Sequence, residues 1–466
     1  MSEPFKIYSP IDNSIYAERH FATQHDIQHA LAQAERVQRS WQTTPLVKRE
    51  QHCINAVNAL IANQSVLAEE LCWQMGRPIR YAANEIAGFA ERAHTMIACA
   101  QAALAPLYLP EKIGFVRYIQ REPLGIVLVI APWNYPYLTA VNSIIPALMA
   151  GNVVLLKHSA QTALVAERLA EAFASAGLPQ GVFQYLHLTH ADTEALIHSA
   201  NIQHIAFTGS VAAGEIIEHA AAGRFLSIGL ELGGKDPAYV RIDADLDYAV
   251  ATTIDGAFFN SGQSCCGIER IYVHHTLFDQ FVGQSVTLVN QYTLGRSDDP
   301  KTTLGPMVRA SAADFVRKQI QEAIAQGAVA HINPNHFPLE KPGSAYMAPQ
   351  ILTQVTPDMR IMTEESFGPV VCIISVHDDD EAIELMNKSD YGLTAAVFTQ
   401  DIPTGIQIGE QLNTGTFFIN RCDYLDPALA WTGVKKSGRG CSLSSIGYES
   451  LTRPKSFHIK TSGLSS

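Results

Sequence analysis

The sequence predicts an α/β protein built on parallel sheets, preceded by a helical region and carrying a small β arm. Three observations predict it. From residue 152 onward, short apolar runs alternate with amphipathic helical patterns, which is the rhythm of βαβ units. Between Asp26 and Ala105, Ala, Glu, Gln and Leu recur at helical spacing, with one break at Gly76-Arg77-Pro78. Between Gly114 and Ile130 the period changes to two, with Phe115, Arg117, Ile119 and Arg121 alternating with Val116, Tyr118 and Gln120.

Each element follows in order. Pro123-Leu124-Gly125 ends the alternating strand and predicts a hairpin or arm. Asn152 to Lys157 reads as a buried strand, Thr162 to Ala176 as a helix closed by Gly177 and Pro179, and Val182 to Leu186 as the next strand. A second βαβ unit runs through the strand Ile202 to Phe207, the turn Thr208-Gly209-Ser210, the helix Val211 to Ala222 and the strand Phe225 to Leu230. Helices and strands continue from Asp243 to about Gly415, enough for a second α/β domain. The late strand Ser456 to Lys460 is expected to pair with something distant in the chain or on another subunit.

Composition narrows the function. The 466 residues are 47% hydrophobic and 17% charged, an ordinary globular balance that suggests two or three domains. A net charge of −12 with no basic run argues against nucleic acid and anionic membranes as partners. Pro132, Pro146, Gly151 and Asn152 interrupt the longest apolar stretches, so no membrane crossing is expected. The first residues lack a secretory pattern, which points to the cytoplasm. The 8 cysteines form no CxxC pair and lack metal-ligand spacing, so reduced thiols and no metal are expected.

Four segments can carry chemistry. The turn before Val211 offers backbone amides and a helix N-terminus to a phosphate, or is simply a capped turn. Cys265, approached through Asn260-Ser261-Gly262-Gln263-Ser264, is a candidate nucleophile with room for a carbonyl, or a core thiol; nothing local separates it from Cys266. Glu231, after an apolar strand and before Gly233-Gly234, is a candidate general base or a solvated strand end. Asn134, between prolines and aromatics, is a candidate oxyanion donor or an N-cap.

Together these segments resemble the aldehyde dehydrogenase superfamily. Glu231 stands in ELGGK and Cys265 in FxNxGQxC; PWNYP at 132 to 136, FTGS at 207 to 210, EESFGPV at 364 to 370 and GVKKSGRG at 433 to 440 follow in family order. The resemblance runs from about residue 10 to the C-terminus. It implies a Rossmann-type cofactor domain (1–107 and 125–230), an α/β catalytic domain (231–440) and an oligomerisation arm (108–124 and 451–466) that makes a homodimer or homotetramer. It further implies that Cys265 attacks an aldehyde, that Asn134 and the Cys265 amide hold the oxyanion, and that Glu231 activates the hydrolytic water. Trp133, Lys157, Ser159, Gly209, Ser210, Glu365 and Phe367 would line an NAD or NADP site.

Three departures qualify the resemblance. Ala160 replaces the carboxylate that usually clasps the ribose, so NADP is expected to be tolerated, with Lys157 and His158 as phosphate partners. His187-Leu188-Thr189-His190 replaces a glycine-bearing turn on the adenine side. Cys441-Ser442 replaces the usual Arg-Glu, a change expected to affect pairing near the arm and not the chemistry.

By the same resemblance the substrate tunnel would be lined by Tyr135, Thr139, Asn142, Phe259, Ser264, Cys266, Arg421 and Leu425, a polar set suited to a semialdehyde; the alternatives are a mixed helix face packed on its neighbours and a solvated loop with an internal Arg–Asp pair. Arg421 would favour an anionic aldehyde, and Asp423 and Asp426 a cationic one. The alternatives are a CoA-acylating relative, an inactive binding protein on the same fold, and a cysteine hydrolase, for which no His and Asn partners follow Cys265.

Overall fold

The computed structural model describes residues 3–198 and 201–461. The end of the expected arm, 462–466, lies outside the described residues. A two-stranded ribbon, β1 (Pro4–Tyr8) and β2 (Ile15–His20), opens the chain. Four helices follow: α1 (Gln24–Trp41), α2 (Leu46–Ala62), α3 (Gln64–Met75) and α4 (Ile79–Ala103). Thr23 and Asp26 form a reciprocal capping box on α1, and Gly76, left-handed at φ 86°, terminates α3 at the break predicted there.

Next come β3 (Leu107–Tyr108), β4 (Phe115–Pro123), β5 (Ile126–Ala131), α5 (Pro136–Met149), β6 (Val153–His158), α6 (Ala163–Ser175), β7 (Phe183–Tyr185), α7 (His190–His198), β8 (His204–Thr208), α8 (Val211–Ala221) and β9 (Ser227–Glu231). The strands β9, β8, β5, β6 and β7 lie side by side and parallel. Their apolar faces and helices α1 to α6 share one core, in which β5 is buried along its whole length. Because every strand runs the same way, five strand ends and the loops after them meet along one edge of the sheet, where a ligand can reach them.

A second sheet begins with β10 (Asp236–Val240), followed by α9 (Leu246–Phe258), β11 (Ile268–His274), β12 (Val329–Ala330), β13 (Gln350–Thr353), β14 (Val370–Val376), β15 (Tyr391–Gly392), β16 (Thr394–Phe398) and β17 (Thr416–Ile419). Its order is β12-β13-β14-β11-β10-β16-β17, parallel except at β12, over a core of its own. The chain then returns. After β18 (Val434–Lys435), paired with β15, β19 (Gly438–Arg439) adds antiparallel to β9, and Trp431, Leu443, Tyr448 and Leu451 enter the first core.

The last strand, β20 (Thr452–Lys460), pairs with β4 through nine registered residues, and β3 completes a three-stranded arm. The turn at Pro123-Leu124-Gly125 is therefore not a hairpin: β4 and β5 belong to different sheets, because β4 is half-buried to exposed along its length and β5 is apolar on both faces. Among the described residues no helix is long and apolar enough to cross a membrane.

Candidate active site

The loop that carries Cys265, the candidate nucleophile, sits between the two sheets. Asn260, Ser261 and Gly262 follow α9 in consecutive left-handed conformations, with φ of 53°, 57° and 70°. Such backbone is costly for non-glycine residues and persists only where neighbours hold it. Here Asn260 donates to Gln263 O (3.2 Å), Ser261 Oγ to Gly305 O (2.8 Å), and Val308 N to Gln263 Oε1 (2.8 Å). A side chain at Gly262 would meet the carbonyl of Gly368.

Two cavities converge on Cys265. A tunnel of about 280 Å³ reaches it past Tyr135, Thr139, Asn142, Phe259, Ser264, Cys266, Asp423 and Leu425. A cleft of about 750 Å³ reaches it past Trp133, Lys157, Ser159, Gly209, Ser210, Glu365 and Phe367. Glu231 lines both, and Asn134 lines the cleft. The structure separates the two cysteines that sequence left equivalent. Cys265 is half-buried, whereas Cys266 is 3% exposed, its thiol donates to Asp423 Oδ1 (3.1 Å), and its neighbour Cys265 together with burial drives its pKa well up.

Asn134 does not cap a helix. Helix α5 begins at Pro136, and the Asn134 amide donates to Gln263 O (3.2 Å), leaving its second N–H for another acceptor. Its backbone carbonyl accepts from Arg77 (2.6 Å), which is ion-paired with Glu85; Glu85 in turn accepts from Tyr137 N (2.8 Å). Arg77 and Glu85 carried no sequence signal beyond the Gly-Arg-Pro break. They fix the Asn134 strand end to α4.

Burial raises the pKa of Glu231, opposed by hydrogen bonds from Ser442, Thr208 and Asn142. Ser442 Oγ donates to Oε1 and Thr208 Oγ1 to Oε2 (3.2 Å), while Arg92 donates to Asn142 Oδ1 (3.2 Å) and Leu138 O (2.8 Å). The Ser442 contact corrects the expectation that the 441–442 change concerns only the arm: β19 brings this segment back beside β9 and its hydroxyl onto the candidate base.

The cofactor-side residues meet at the strand ends. Ser210 caps α8 by accepting from Ala213 N (3.3 Å), so the turn is both capped and cleft-lining. Trp133 meets Phe367 edge-on at 5.8 Å. Phe367, at φ 53°, is anchored because its N–H donates to Glu269 Oε1 (3.0 Å), and Glu269 pairs with buried Lys235. Glu365 accepts from Gly234 N (3.1 Å), and burial pushes its pKa up to about 8. Burial alone lowers the Lys157 pKa, with no acid beside it.

Two expectations are overturned. His158 cannot meet a phosphate: its ring lies 2% exposed beneath the strand, within hydrogen-bond reach of Pro136 O and Thr162 Oγ1, and burial lowers its pKa to about 4. Arg421 is exposed and stacks over the Tyr424 ring at 3.6 Å, outside the tunnel. The tunnel's cation is Arg92, reached from α4, which no local motif announced. Besides Glu231, its acids are Asp423, which burial pushes up to about 6, and Asp255.

Comparison with known proteins agrees with this geometry. The aldehyde dehydrogenase family model matches residues 1–457. The chain is 35% identical over 455 residues to an NADP-dependent succinate-semialdehyde dehydrogenase of Deinococcus radiodurans, covering 97% of this chain and 94% of that one. It is 34% identical to an NADP-dependent glyceraldehyde-3-phosphate dehydrogenase of Streptococcus equinus, covering 97% and 95%. A crystal structure of the NADP-dependent glyceraldehyde-3-phosphate dehydrogenase from Bacillus halodurans, complexed with NADP, superposes with a TM-score of 0.93 at 32% identity, covering 99% and 96%. The chain belongs to the aldehyde dehydrogenase family and is an aldehyde-oxidising enzyme.

Proposed function

We propose that the protein oxidises a short, polar aldehyde of the semialdehyde kind to its carboxylic acid, using NADP and tolerating NAD. The observation that carries this reading is the meeting of tunnel and cleft at Cys265 with Glu231 on both walls. In this reading the Cys265 thiolate adds to the aldehyde carbonyl. The Asn134 amide and the Cys265 backbone N–H stabilise the resulting oxyanion, each such donor contributing about 3 kcal/mol. NADP supplies the hydride acceptor. Glu231 then takes a proton from water as it attacks the Cys265 thioester, and the acid leaves by the tunnel. A buried carboxylate on the wall shared by tunnel and cleft, placed to take a proton from water, favours hydrolysis over transfer to CoA.

The cleft fits the cofactor. Lys157 has no acid beside it, and Ala160 leaves no carboxylate to repel a 2′-phosphate. Arg92 on the tunnel wall suits a substrate carboxylate, and a tunnel with charges of both signs is poorly matched to a long alkyl chain. The relatives named for succinate semialdehyde and glyceraldehyde 3-phosphate support an anionic substrate.

The first sheet serves as cofactor domain and the second as catalytic domain. The arm, with Leu107, Tyr108, Val116 and Ile459 exposed, serves as the oligomer interface of a dimer or tetramer working in the cytoplasm. The test is NADPH absorbance over succinic semialdehyde, an aminoaldehyde, an aromatic and a short alkyl aldehyde. Turnover that vanishes in Cys265→Ala supports the reading, and turnover only after CoA is added overturns the hydrolytic step.

A further inference from the structure

We propose that His190 selects the 2′-phosphorylated dinucleotide, closing a phosphate subsite with Lys157 and Ser159 at the outer end of the cofactor cleft. The proposal rests on the NADP reading above. Strand order gives the cleft a direction: Glu231 ends β9, Gly209 and Ser210 follow β8, Trp133 and Asn134 follow β5, Lys157 and Ser159 stand at the end of β6, and His190 opens α7 after β7. The reacting end is fixed by Cys265 and Glu231. Four strand spacings of about 4.8 Å separate β9 from β7, so His190 lies about 19 Å across the sheet, on the adenosine side.

Charge divides the cleft in the same direction. Its two acids, Glu231 and Glu365, are at the reacting end. The outer end presents Lys157, Ser159 and His190, with Ala160 next in sequence. Among the described residues neither the Lys157 ammonium nor the His190 ring has a side-chain hydrogen bond or ion pair, and both line the cleft. The cleft's remaining cation, Arg309, belongs to the opposite wall, where its neighbour Val308 is tied to Gln263 beside the nucleophile. A phosphomonoester brings three acceptor oxygens and up to two negative charges, and an imidazole N–H and an ammonium are donors matched to it.

The loop that carries His190 is braced. Thr189 and Asp192 bond reciprocally at 2.6 and 3.1 Å, and Gln24 donates to Asp192 Oδ1 (2.8 Å). The first-turn acid nearest His190 is thus engaged by its own neighbours, and the start of α7 is held in place. This loop is where the glycine-bearing turn of the family is replaced.

The test is calorimetric titration of the enzyme with NADP and with NAD in the absence of aldehyde, for the native protein, His190→Ala and His190→Arg, with melting temperatures as a folding control. His190→Ala should weaken NADP binding about tenfold and NAD binding less than twofold, and His190→Arg should keep the NADP preference. Equal losses for both cofactors would assign the ring to adenine stacking and overturn the proposal, as would no loss for either. A native protein that binds NAD at least tenfold more tightly than NADP would overturn the NADP reading itself, whatever His190→Ala does.

Discussion

Replacing Ser442 with Ala removes the donor to Glu231 Oε1 and leaves Thr208 and Asn142 in place. Burial already raises the pKa of this carboxyl, and the Ser442 bond is the first of the effects that oppose it. A hydrogen bond to a charged group contributes about 1.5–3 kcal/mol, and 1.36 kcal/mol corresponds to one pH unit. In the proposed reaction Glu231 works as the carboxylate. Losing the donor therefore raises its proton affinity and moves the acid limb of kcat toward higher pH by about 1 unit or more. The assay is kcat from pH 6 to 9.5 with saturating aldehyde and cofactor, together with the pre-steady-state burst of NADPH. The burst should persist, because acyl-enzyme formation does not need the base, while steady-state turnover falls about tenfold at the lower pH values and recovers in alkali. An unshifted acid limb, or a burst lost in step with turnover, would show that Ser442 does not set the proton affinity of a deacylating Glu231.

Other perturbations test the scaffold. Asp423, pushed by burial up to about 6 from 3.8, holds a proton more tightly in the folded state, so its contribution to stability is complete below about pH 3.8 and lost as the pH rises through 6. Asp423→Asn should therefore gain on the native protein between pH 4.5 and 7.5, by up to about 2 kcal/mol in urea unfolding, and a constant difference would contradict this. Arg77→Ala leaves the buried Glu85 carboxylate unpaired and should cost about 3–5 kcal/mol; a loss under about 1 kcal/mol would show that the pair does not hold the Asn134 strand end. Gly262→Ala puts a Cβ against the Gly368 carbonyl at φ 70° and should cut kcat more than tenfold while cofactor titration stays near native, whereas full turnover would contradict the role given to the left-handed loop.

Much of the fold was legible because its signals are local. Apolar runs such as Asn152 to Lys157 declare buried strands, and Gly76 and Gly177 mark helix ends, whereas the buried β5 was merged with the alternating strand before it. The late strand was legible as a long-range partner, and it pairs with β4. Helix α7 was missed because its nine residues carry little apolar periodicity and follow an irregular loop. The site was legible where a motif states both residue and context, as at Glu231 and Cys265. It was illegible where side chains from distant segments meet. Arg92 reaches the tunnel from α4, Ser442 reaches Glu231 across 211 positions, and nothing in Lys157-His158-Ser159 tells which side chain faces the cleft until strand pleating turns His158 inward. Arg421 failed for a related reason: Asn420 and Asp423 are left-handed, so the loop between them does not alternate, and Asp423 turns inward where Arg421 turns out.

In the proposed reaction Cys265 carries the acyl group and Glu231 releases it. Glu231→Gln, incubated with NADP and succinic semialdehyde, quenched in acid and mapped by peptide mass, tests both at once. One NADPH per subunit followed by near arrest is expected, with a succinyl adduct on the peptide containing Cys265 that is absent from Cys265→Ala. An adduct on Cys266, or steady turnover at the native rate with no adduct, would contradict that reaction.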